Sequence, residues 1–122
     1  MFSYHKEDFI IHQIQNIAKA LAKLFFGTEQ ISYVIKDETN HTQSDLIYLK
    51  IITLIKEQKY LEAQTLLLNN IDTNDLQYLK IILFFYDHLD HMSDEQLTKY
   101  QLNRQDITNN FLDATSKYNC LI

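Results

Sequence analysis

The chain has 122 residues, 46% hydrophobic and 22% charged, with one glycine, one cysteine and no proline. That is enough for one domain with a real core and too apolar for disorder, while the lone Cys120 excludes an internal disulfide. The formal charge of −5 falls on an acidic body after residue 27 that holds the only arginine, Arg104, which argues against nucleic acid and suits a basic partner surface.

With so few chain breakers, helices are expected throughout. The first is predicted from about Tyr4 to Phe26, ending at Gly27, the residue most at ease in the left-handed conformation of a helix end. Ile10, Ile14, Ile17, Leu21 and Leu24 fall on one face at alternating steps of four and three. Such a stripe must be covered: by the chain's own core, by a second copy in a homodimer, or by a membrane surface. The last is disfavoured because Ala18 to Phe26 offers only Lys19 and Lys23 as basic residues. Polar residues at His12, Gln13, Gln15 and Asn16 rule this helix out as a secretory core or membrane span. A cytoplasmic protein is expected.

After Gly27, Ile31, Tyr33 and Ile35 alternate with Ser32 and Val34, and with no second strand to pair they predict a short helix or an extended packing segment. Lys36 to Ser44 has no apolar residue and is the linker candidate. The chain therefore divides into an amphipathic helix over 1–27, a linker with a short ordered segment over 28–43, and a helical-hairpin region over 44–122, within one structural unit.

Ser44 is the expected cap of a helix to about Gln58, and a second helix from Tyr60 to about Asn70 follows with almost no loop, which forces an antiparallel hairpin. Asp72 or Thr73 is expected to cap a third helix to about His91. Apolar residues from Leu76 to Leu89 cover nearly its whole circumference and mark it as central. Ser93 and Gln96 form a capping box for a short helix, and Asn103 with Asp106 opens the last one, to about Tyr118. The expected fold is all-α, with about five to six helices in antiparallel hairpins.

Candidate chemistry is sparse. Asp87, His88 and His91 share one side of a helix end and could approach a divalent ion, although no second helix supplies a matching carboxylate–histidine pair and imidazoles also complement a helix C-terminus. No phosphate loop, paired-cysteine zinc spacing or serine nucleophile context is present, and no cofactor is expected. Tyr48, Tyr60 and Tyr100 are candidate protein contacts, since each could present a ring to a partner.

Two resemblances add to this. Ile47, Ile51 and Leu54, then Lys59-Tyr60-Leu61-Glu62-Ala63 with Leu67, resemble one tetratricopeptide unit, with Tyr60 and Ala63 in the roles that let two helices approach. Ile51 in place of a small residue, Asn70 in place of an alanine and Asp75 in place of the closing proline depart from it. Asp8-Phe9-Ile10, Leu76-x-Tyr78-Leu79, Phe85-Tyr86-x-x-Leu89, Met92-Ser93-Asp94-Glu95-x-Leu97 and Arg104-x-Asp106-Ile107 look like a family of short uncharacterised proteins of low-GC Gram-positive bacteria. That likeness implies a tetratricopeptide-like right-handed stack and a bacterial cytoplasm, and transfers no site. The family tends to carry Arg near His12 and Glu at Asp106. The expected function is a non-enzymatic module for protein or peptide binding, or for self-assembly, as monomer or homodimer. A metal enzyme built on Asp87, His88 and His91 and a membrane-surface protein using the first helix are the alternatives.

Overall fold

A computed structural model describes residues 13–119, the side chain of Asn119 excepted; the expectations placed on Ile10 and Cys120 lie outside the described residues. Among the described residues there are six helices and no strand: α1 (Gln13–Phe26), α2 (Gln43–Lys56), α3 (Tyr60–Asn69), α4 (Leu76–Asp90), α5 (Asp94–Lys99) and α6 (Arg104–Asn119). The all-helical class follows from the scarcity of breakers.

The centre is α4, which packs against α1, α2 and α6. Tyr78, Leu79, Ile81, Ile82, Leu83, Phe85, Tyr86 and Leu89 are all buried, as an almost fully apolar circumference requires. On α1 the side chains of Ile14, Ala18 and Ala22 are buried, and the two alanines have no bulk to hold the backbone of α1 away from α4. Phe111, Ala114 and Tyr118 close the α6 side. Buried tyrosines need partners for their hydroxyls: Tyr78 donates to the Leu67 carbonyl at 2.5 Å and Tyr118 to the Asp72 carbonyl at 2.8 Å. Burial drives the pKa of both above the ordinary tyrosine range.

The helix ends show where local signals were redirected. Gly27 stops α1 with φ 74°, as expected. The cap of α2 is Thr42, not Ser44: the Thr42 hydroxyl accepts from Asp45 N at 3.0 Å, and the Asp45 carboxylate accepts from Thr42 N at 2.9 Å. Ser44 is instead buried and donates to Asp75 Oδ2 at 2.6 Å. The cap of α4 is Asp75, which accepts from Gln77 N at 2.9 Å, because Asp72 turns to the amide of Asn74, also at 2.9 Å. Ser93 and Gln96 form the expected box, and Asn103 Oδ1 accepts from Asp106 N at 3.1 Å.

Residues 28–42 form no helix or strand. The segment is held by Tyr33, whose ring stacks on Tyr48 with centroids 4.5 Å apart and whose hydroxyl donates to Asp45 Oδ1 at 2.5 Å, while Ile31 and Ile35 lie against the core and Val34 faces out. Burial and the Asp45 carboxylate together raise the Tyr33 pKa, and the hydroxyl in turn lowers that of Asp45.

Arg104 ties three helix ends together. Its guanidinium donates to Asp90 Oδ1 at 3.1 Å, Asp94 Oδ1 at 2.7 Å and the Met92 carbonyl at 2.6 Å, and Asp90 Oδ2 accepts from Gln15 N of α1 at 3.1 Å. A buried ion pair of this kind needs its remaining polar positions filled, and the extra bonds fill them.

Candidate functional site

The turn from α2 to α3 and the end of α5 have the same backbone geometry. Gln58 adopts φ 60°, and the amides of Gln58 and Lys59 return to the carbonyls of Ile55 and Leu54 at 2.9 and 2.8 Å. Gln101 adopts φ 61°, and the amides of Gln101 and Leu102 return to the carbonyls of Thr98 and Leu97 at 3.0 and 2.8 Å. Both are Schellman closures with a glutamine in the left-handed position where glycine is the relaxed choice.

Together these turns frame an open groove of about 670 Å³, lined by Lys59, Tyr60, Leu61, Glu62, Leu66, Lys99, Tyr100 and Gln101 among others. Tyr60 and Tyr100 meet there with ring centroids 4.7 Å apart. Tyr60 is 8% exposed and backed by the His88 ring at 5.9 Å, whereas Tyr100 is half-buried with Lys99 Nζ 5.6 Å from its ring centroid. Burial, and next the neighbouring Tyr100, raise the Tyr60 pKa. Leu61 and Gln101 also line a second concavity of about 370 Å³, with Gln64, Asn103, Asp106, Asn109 and Asn110. Its back wall is fixed by Tyr86, which is fully buried and donates to Gln64 Oε1 at 2.8 Å, and by Asn110 Nδ2, which donates to the same oxygen at 3.3 Å.

The candidates read from sequence thus separate. Tyr60 and Tyr100 come together, while Tyr48 lies elsewhere, between Tyr33 and Phe84. On α1, Ile14 is buried, Ile17 and Leu21 rest partly buried against the core, and Leu24 is 62% exposed. Of the three candidate metal ligands, Asp87 and His91 lie together at the end of α4 and His88 turns elsewhere. His91 Nδ1 bonds the Asp87 carbonyl at 2.7 Å and lies 3.9 Å from the Asp87 carboxylate, while His88 stacks under Tyr60. Among the described residues no group of three or more His, Cys, Asp or Glu side chains is placed to hold a metal ion. His88 Nε2 is buried without a hydrogen-bond partner among the described residues, and burial, reinforced by His91 and opposed by Asp87, lowers the His88 pKa below 6.5. Sequence reasoning missed Gln58, Gln64 and Gln101. Nothing local marks glutamine for a left-handed turn, and the orientation of Gln64 depends on residues 22 and 46 positions away.

Fold and site together define an all-helical protein, over the described residues, whose open two-part groove follows the α3–α5 side. The sequence matches the family of unknown function DUF6483 over residues 4–119, and the chain belongs to that family. No curated protein and no solved structure matches it. No helix among the described residues is long and apolar enough to cross a membrane.

Proposed function

We propose that the chain is a non-enzymatic protein-binding module whose partner docks in the groove floored by Tyr60 and Tyr100. One observation carries this reading: Tyr60 of α3 and Tyr100, which caps the end of α5, are brought together with ring centroids 4.7 Å apart and planes inclined at 60° in an open concavity, with Lys59 and Lys99 beside them. Tyrosine supplies broad contact area with few rotatable bonds, the property that enriches it in binding interfaces. The hairpin of α2 and α3 is taken as tetratricopeptide-like, supported by the fully buried Ala63 three residues after Tyr60. A monomer fits the same reading, because Ile14, Ile17 and Leu21 of the α1 stripe lie against the core.

The test is photo-crosslinking in the producing cell, with the reactive group placed at the exposed Lys99 or, as a control, at the exposed Lys19 on α1. A discrete protein adduct is expected from position 99, lost on Tyr100→Ala and absent from position 19. Equal adduct patterns from the two positions, or no adduct from 99, would overturn the reading.

A further inference from the structure

We infer that the groove has an acid-released floor: a neutral His88 ring holds Tyr60 against Tyr100, and protonation of that ring withdraws the support. This rests on the groove reading above and specifies how the same site is regulated.

Buried tyrosines in this fold are held in two ways. Tyr33, Tyr78, Tyr86 and Tyr118 are anchored through their hydroxyls, to Asp45, the Leu67 carbonyl, Gln64 and the Asp72 carbonyl. Tyr60 is held by rings: Tyr100 with centroids 4.7 Å apart, and His88 at 5.9 Å with its plane within 23° of parallel. The backbone in front of Tyr60 is fixed, since Gln58 closes the turn in the left-handed conformation and Lys59 N bonds the Leu54 carbonyl at 2.8 Å. A change beneath Tyr60 therefore falls on its side chain.

The support that His88 gives depends on its charge. Its Nε2 is buried without a hydrogen-bond partner among the described residues. In a neutral ring that is one unmade bond; in an imidazolium it is a charged N–H with no acceptor, a much larger penalty. Two effects favour the cation, the face of the Tyr60 ring and the C-terminal end of α4. Neither supplies the missing acceptor, and burial prevails: the His88 pKa falls below 6.5, with His91 adding to the shift and Asp87 opposing it.

The charges that act on His88 are thus those of its own helix end. Asp90, two residues on, is engaged by Arg104 and by the Gln15 amide of α1. From α3 the facing group is the Tyr60 phenol, with Tyr100 next to it at the end of α5. Lys59, Glu62 and Lys99 line the groove, and Lys59 is paired with Glu57 at 3.9 Å. The ring contacts of α2 and α6 with α4 come earlier along it, Tyr48 on Phe84 and Phe111 on Tyr86. A ring released to water takes a proton more readily than the stacked ring, so acid shifts the population toward release. Tyr60 then loses the ring beneath it.

The experiment is NMR of the full chain with isotope-labelled His and Tyr rings, titrated from pH 7.5 to 5. A cross-relaxation peak between the His88 and Tyr60 rings is expected at pH 7.5. It should be lost as His88 titrates, with a midpoint below 6.5, and the Tyr60 ring resonances should move with that midpoint. His91→Gln, at an exposed position, should keep the transition and move it to higher pH, because His91 disfavours the charge. His88→Phe keeps a ring that takes no proton, and Tyr60 should then stay unchanged across the range. A His88 that titrates with the cross-peak intact, a His88 that stays neutral down to pH 5, or a Tyr60 transition that persists in His88→Phe would overturn the inference. The wild-type cross-peak decides alone should His88→Phe not fold. The groove reading fails separately, by absence of the position-99 adduct in cells, a result that leaves the ring titration as it is.

Discussion

The two sides of α4 treat their polar groups differently. Toward α1 and α6 they are answered inside the chain: Tyr118 has the Asp72 carbonyl, and Arg104 has two carboxylates and a carbonyl. Toward α3, Tyr78 and Tyr86 are answered as well, by the Leu67 carbonyl and Gln64 Oε1, but His88 Nε2 is buried without a partner among the described residues and two turns hold a glutamine in the left-handed conformation. The difference is confined to one buried nitrogen and two left-handed turns, all beside Tyr60 and Tyr100.

Substitutions on the two sides should therefore move stability in opposite directions. Arg104→Ala removes the cation from a carboxylate whose side chain is 2% exposed and should destabilise the fold by about 3–5 kcal/mol in urea unfolding. A loss below about 1 kcal/mol would show that the clamp is only a surface pair. On the groove side, Gln58→Gly and Gln101→Gly relieve left-handed side-chain strain and should each stabilise by about 0.5–1 kcal/mol, visible as a higher urea midpoint. Unchanged or lowered midpoints would mean these turns carry no strain.

His88 gives the smallest test. Its pKa is lower in the folded chain than in the unfolded one, so the unfolded state takes up its proton first as the pH falls. The contribution is complete above the unfolded value near 6.5 and declines as the pH drops toward the lower folded value. His88→Phe keeps a ring beneath Tyr60 and should therefore lose less stability than wild type between pH 7.5 and 5. Parallel losses in the two proteins would place the acid sensitivity in the carboxylates, of which Asp45 is one whose pKa the fold lowers.

Much of the fold was legible because its signals are local. Gly27 ends α1, Ser93 and Gln96 box the start of α5, and the apolar run from Leu76 to Leu89 makes α4 central. Where capping signals competed, tertiary bonds decided. Ser44 looks like a cap, but its hydroxyl is drawn to Asp75, 31 residues on, which leaves Thr42 to close the turn. The groove was half legible. Tyr60 and Tyr100 stood out, with Tyr48, as rings that could face a partner, but Gln64 is held in place through its Oε1 only when α4 and α6 arrive beside α3. No period or spacing in a sequence records that arrival.

The pairing of α1 with α4 also sets a schedule. During synthesis α1 leaves the ribosome about fifty residues ahead of the helix that covers it, counted from Phe26 to Leu76, and at ordinary elongation rates that is an interval of roughly 2–10 s. For that time the face of Ile14, Ala18 and Ala22 lacks its native cover. The nascent chain thus presents a short-lived apolar helix to chaperones, a surface that the finished protein no longer offers.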